Sequence, residues 1–251
     1  MFDGRALKAG IATTIVATAL FAPLAGNAFA RGREKPRNER IVRVKTECNR
    51  DIAKHLREYD AVTKLVANSP WLTDAHAAAL AAAVAEAKAA AVADKAELNA
   101  ATDLETARKE CRSARSHHHR LKIILRVGRT TQRADRYDAA ILSLQGDLNG
   151  VGDKIDGLEA DGIDGAEFRA ILDGIQGAID EAQGNVGLGD AIIALLDSEE
   201  PQPALDEYNV VLSFARDNAM AISESIDALD QLVNPPVEEG DSGEDSVSED
   251  A

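Results

Sequence analysis

Between Ala75 and Ala101, sixteen of the 27 residues are alanine. Alanine has the highest helix propensity and is poor in strands, so this stretch specifies a helix. Its side chain is one methyl group, which lets neighbouring helices approach closely but fills little space. Such a helix needs partners that supply bulk at helical spacing. Hydrophobic residues make up 45% of the chain and aromatic ones only 4%, which leaves Ala, Leu, Ile and Val to build the core.

The flanking segments have that spacing. From Glu34 to Asn68, residues Ile41, Val44, Cys48, Ile52, Tyr59, Val62 and Val66 recur at intervals of three, four and seven among charged residues, which predicts an amphipathic helix. Asn68-Ser69-Pro70 ends it, with Trp71 packed in the turn and Thr73 or Asp74 capping the alanine-rich helix. Thr102 and Glu105 form the pattern of a capping box. A third helix follows, with Leu104, Ala107, Cys111, Ala114, His118, Leu121 and Leu125 on its apolar face. Beyond Gly128 the seam Ile141, Leu144, Leu148, Val151, Ile155 and Leu158 alternates three and four like a coiled coil. Gly146, Gly150, Gly152 and Gly157 each weaken it by about 1 kcal/mol, so a bent or frayed helix is expected.

Asp161 to Gly165 reads as a turn, and Phe168, Ile171, Leu172, Ile175 and Ile179 line the next helix. Gly184, Gly187 and Gly189 break it before a short segment, Ala191 to Leu196. The last helix, from Leu205 to Val233, ends at Pro235-Pro236. The expected fold is all-α: an elongated bundle of about six coiled-coil-like helices. It divides into a disulfide-clamped three-helix unit at 31–128, an acidic helical unit at 129–234 and a disordered acidic tail at 235–251.

Residues 1–30 read as a secretory signal. Arg5 and Lys8 precede an apolar stretch from Ile11 to about Ala25, and Ala28-Phe29-Ala30 is a small-x-small cleavage site. The mature chain is expected to begin at Arg31, to be soluble, and to carry no transmembrane segment. In an oxidising compartment Cys48 and Cys111 are expected to pair. If the first three helices run up, down and up, the two cysteines lie at one level on parallel helices.

Charge is divided unevenly. Residues 31–138 hold 23 basic and 15 acidic side chains, whereas residues 139–251 hold 3 and 27. The basic run, with Arg108, Arg112, Arg115, Arg120, Lys122, Arg126 and Arg129, suits an anionic envelope surface such as phospholipid headgroups or wall polymers. Export, and the presence of only Tyr137 nearby for stacking, argue against nucleic acid.

Few residues suggest chemistry. His117, His118 and His119 are consecutive, and on one helix consecutive side chains point about 100° apart, so they cannot chelate a metal among themselves. His55 and His76 stand alone and read as structural. Asp147, Asn149, Gly152, Asp153, Asp156, Asp161 and Asp164 resemble a calcium loop, but Leu158 falls where a bidentate Glu is required. Gly240-Asp241-Ser242-Gly243 has the look of a serine-protease motif with no histidine placed to activate Ser242. No catalytic residues, metal ligands or cofactors are expected.

The run Asp60-Ala61-Val62-Thr63 to Thr102-Asp103-Leu104, with the basic stretch ending Arg133-Ala134-Asp135-Arg136, resembles uncharacterised secreted helical proteins of actinobacteria. The resemblance covers roughly residues 50–140 and implies an exported, coiled-coil-like helical protein without supplying an activity. Similar proteins often carry Tyr and Pro in place of His117 to His119 and Gly128. The expected function is therefore a secreted, non-enzymatic helical protein, extracellular or associated with the cell wall. It would act through helix-mediated contacts with a protein partner or itself along the seams Ile141–Leu158 and Leu205–Val233, or through electrostatic contacts at the envelope. The alternative is a divalent-metal binder using the acidic C-terminal half.

Overall fold

Each apolar seam becomes the inner face of a helix in the computed structural model, which describes residues 31–198 and 200–235. The segment read as a signal, residues 1–30, and the tail from residue 236, Ser242 included, lie outside the described residues. Among those described there is no strand. Five long helices, α1 (Arg31–Ala67), α2 (Asp74–Ala100), α3 (Leu104–Ala160), α4 (Ala166–Gln183) and α6 (Gln202–Val233), are joined by one short helix, α5 (Leu188–Ile193), and a 3-10 turn at Ala194–Asp197.

The largest departure from the sequence reading is α3. Its 57 residues run unbroken through Gly128, where the two units were expected to divide, and on through all four glycines expected to bend it. At 1.5 Å per residue it is about 85 Å long. Gly128 serves packing: a Cβ there would stand 3.3 Å from both methyl groups of Leu80, so the missing side chain lets α2 lie close. Further along, Ile141, Leu148, Val151 and Ile155 are buried against α4 and α6. Burial of about 1.5–3 kcal/mol per large side chain outweighs the glycine penalty.

The other helices lie along α3 in two rows. Cys48 bonds Cys111 and His55 stacks on His118, each pair 63 residues apart, so α1 is parallel to α3. Hydrogen bonds from Arg126 to Gln202, Arg133 to Asn209 and Lys154 to Asp230 keep a constant separation of 76, so α6 is parallel to α3 as well. With these registers α1 ends close to where α6 begins, and the two follow each other along the spine. The second row holds α2 and α4, both antiparallel to α3. Two up-down-up three-helix layers therefore share one helix.

The expected seams meet one another. Ile222, Ile226 and Leu229 of α6 are buried with the Ile141–Ile155 seam and with Ile175 and Ile179 of α4, whereas Leu205 and Leu212 join the cluster of Leu80, Val127 and Ile192. The α2 N-cap is Thr73, whose hydroxyl accepts from the His76 amide at 3.2 Å. The capping box at Thr102 does not form. Asp103 caps α3 instead, its carboxylate accepting from both the amide and the hydroxyl of Thr106, at 2.9 and 2.7 Å. One carboxylate offers two acceptor oxygens where a threonine has one. By length and apolarity α2 matches a membrane span, with a mean hydropathy of 1.3 over its most apolar stretch. It owes this to alanine, and its Leu80, Val84, Ala87, Ala91 and Leu98 are buried against α1 and α3.

Candidate functional site

The basic residues of α3 form a pattern that their list in sequence conceals. Arg108, Arg112, Arg115, His119, Lys122, Arg126, Arg129, Arg133 and Arg136 follow at alternating steps of four and three, and all nine are exposed. That spacing keeps them on one side of a helix, winding slowly, over about 42 Å. Arg120, expected among the contacts, is half-buried and one residue out of phase, so it stands apart from the stripe. Continuity of α3 makes the array: a break at Gly128 would have scattered it.

Some of these cations have local partners. Arg115 pairs with Asp51 at 3.0 Å, and the Arg136 guanidinium lies 5.1 Å from the centre of the Trp71 ring, which is exposed rather than packed in the turn as its position suggested. Among the described residues, Arg108, Arg112, Lys122 and Arg129 have no carboxylate within ion-pair distance. Toward its C-terminal end the stripe opens into a groove of about 700 Å³ between α3 and α6. Arg133, Arg136 and Arg216 line it with Asp147 and with the apolar Leu144, Leu212 and Met220.

A second cluster joins α1 to α3. His55 and His118 stack with ring centres 4.0 Å apart and planes 11° from parallel. Glu58, one turn beyond His55, brings Oε2 to 3.3 Å from His118 Nδ1, and ligand atoms of the three residues lie within 4.8 Å of one another. The Nδ1 atoms of both histidines are buried without a hydrogen-bond partner. Burial, and after it the neighbouring His118, pushes the His55 pKa below its ordinary value. On the other side of α3, His117 Nε2 is 3.1 Å from Asp94 of α2. The Tyr59 hydroxyl donates to the His117 carbonyl at 2.7 Å, and burial pushes its pKa up to about 12, so it stays a donor. His119 faces outward in the stripe. The three consecutive histidines thus point to three places, as helical geometry requires, but His55 and Glu58 on a second helix complete a set that one helix cannot.

A third polar group sits where the two layers meet. His76 Nδ1 lies 2.8 and 2.9 Å from the two carboxylate oxygens of Asp135, and its Nε2 is 3.0 Å from Asp190 of α5. Asp135 also accepts from the Thr73 amide at 2.9 Å. A Cβ at Gly189 would come within 2.5 Å of the imidazole, so only glycine lets α5 approach. Burial works against the charged imidazole, but the hydrogen bonds and charges of Asp135 and Asp190 outweigh it, and the His76 pKa is raised. His76 pins α2 and α5 to the middle of α3.

The aspartates that resembled a calcium loop are spread out. Asp147, Asp153 and Asp156 lie on continuous helix, Asp156 pairs with Arg169, and Asp164 accepts from the Ala166 amide. Among the described residues the only set of three or more such ligands in reach of one ion is His55, Glu58 and His118, in the basic half.

These features define an all-α, disulfide-linked helical bundle with a cationic stripe and a small histidine cluster. No family model, curated protein or solved structure matches the chain.

Proposed function

We propose that this is an exported, non-enzymatic helical protein that docks on an anionic surface of the cell envelope through the basic stripe of α3. The observation that carries the reading is the exposure of eight Arg and Lys side chains in one three-four array from Arg108 to Arg136. Each cation near an anionic surface contributes about 1 kcal/mol, so several acting together give stable association without a pocket for one ligand. The groove at the end of the stripe adds apolar surface beside three arginines, which suits a headgroup with its acyl chain. The cysteine pair, the N-terminal signal pattern and the resemblance to secreted actinobacterial proteins support export. The internal packing of both seams turns the interaction away from helix pairing and toward charge.

Cosedimentation with vesicles tests this. The protein should pellet with phosphatidylglycerol vesicles at low salt, stay in solution with phosphatidylcholine, and release as salt shortens the screening length to about 3 Å at 1 M. A double charge reversal, Arg112→Glu with Arg129→Glu, should abolish pelleting. Salt-insensitive binding, equal binding to both lipids, or full binding by the reversed variant would refute the proposal.

A further inference from the structure

We propose that His55, Glu58 and His118 bind one borderline divalent transition-metal ion, with Zn²⁺ as the representative, and so form a metal link between α1 and α3. Cys48 and Cys111 are bonded with Cα atoms 5.8 Å apart, and their partnership fixes a separation of 63 between facing positions of the two parallel helices. One heptad before the pair lie Ile41 and Leu104, and two heptads after Ile41 lie His55 and His118; Val62 and Leu125 come next. Ile41, Val62, Leu104 and Leu125 all belong to the apolar clusters. The layer between the disulfide and Val62 is thus occupied by two imidazoles in a position that elsewhere is apolar.

Such a layer is costly unless its polar atoms are satisfied. His55 Nδ1 is buried with no hydrogen-bond partner, and His118 Nδ1 is buried with only the Glu58 carboxylate at 3.3 Å, in a geometry that makes no hydrogen bond. A metal ion accepts a lone pair from each, and Glu58, at i+3 from His55 on the same face, supplies a carboxylate oxygen. Two imidazoles and one carboxylate with a fourth position open to water is a ligand set that zinc takes. Bond lengths near 2.0–2.2 Å place ligand atoms about 3.4 Å apart in a tetrahedron. Drawing in the present set, whose atoms lie within 4.8 Å of one another, takes side-chain rotations that unstack the rings. Glu58 must also leave Lys54, 3.9 Å away and exposed, a contact worth little. The disulfide two turns below holds both helices in place, so the backbone is already set. This site is independent of the anionic-surface reading.

The test uses the chain with its disulfide intact, stripped with a chelator, and titrated with Zn²⁺ against a chromophoric competitor. One ion per chain should bind and raise the melting temperature. His118→Leu and Glu58→Gln should weaken binding by more than about 100-fold and 10-fold respectively, effects at or above those of losing an outer-sphere partner. His119→Ala should leave binding unchanged. Leucine suits an apolar layer, so His118→Leu is expected to fold, and its circular dichroism and melting temperature check that. Absence of zinc uptake by the parent chain, uptake unchanged in folded His118→Leu, or equal loss in His119→Ala would overturn the proposal.

Discussion

Replacing Asp135 by alanine removes the acceptor that closes the joint between the two helical layers. Its carboxylate is 2% exposed and the His76 side chain 10%, so solvent offers little screening, whereas Asp190 is 90% exposed and is assigned nothing. Asp135 receives two bonds, from the imidazole and from the Thr73 amide. Hydrogen bonds to a charged group contribute about 1.5–3 kcal/mol each, and breaking a buried pair costs about 3–5 kcal/mol. Both routes converge on a loss of about 4 kcal/mol. For a helical body of this size that lowers the melting temperature by about 8–16 °C, read by circular dichroism.

Asp135→Asn should cost only about 1–2 kcal/mol, because the amide oxygen still accepts from Thr73 and the amide nitrogen can donate to a neutral His76. The pH dependence follows from the raised His76 pKa. The stability from the protonated imidazole is complete below its unfolded-state value of about 6.5 and is lost as pH rises through the higher folded value. The gap between parent and Asp135→Asn should therefore be widest below pH 6 and narrow as pH rises. An alanine variant within about 1 kcal/mol of the parent, or a gap that widens with pH, refutes the reasoning.

Reducing the Cys48–Cys111 bond opens a loop with a sequence separation of 63, for which the chain-entropy relation gives about 4 kcal/mol; urea midpoints of the oxidised protein and of Cys48→Ser/Cys111→Ser measure it. Gly128→Val sets a branched side chain against the Leu80 methyl groups and should destabilise by about 1–3 kcal/mol, which thermal melting will show. Intact mass spectrometry of protein collected from culture medium should find a chain beginning at Arg31 and lacking two hydrogens; a chain retaining residue 1 would count against export.

Much of the architecture was legible because a three-four apolar seam has one physical meaning. The ends of α1, α2, α4 and α6 fall close to their sequence signals, and the disulfide expected from export joins parallel helices at one level. What the sequence concealed was tertiary. Gly128 and the later glycines look like helix breakers, yet Leu80 on one side and the α4–α6 packing on the other keep α3 continuous. The cations of α3 were read as a run, although their alternating steps already described a stripe, with Arg120 outside it and Arg133 and Arg136 within. His55 and His118 looked unrelated because a helix was considered alone; adding the separation of the cysteine pair brings them together. His76 had no sequence signal for its carboxylate partners, which lie 59 and 114 residues away.

One continuous α3 carries the stripe past the joint between the two layers. Spin labels on cysteines introduced at Lys122 and Asn149, both exposed and on either side of the polar joint, measure this directly by pulsed electron–electron resonance with Cys48–Cys111 kept oxidised. An unbroken helix places the labelled backbone positions about 40 Å apart, with a narrow distribution. A broad distribution, or one centred below roughly 30 Å, would mean that the chain turns between them and that α3 is not one helix across the joint.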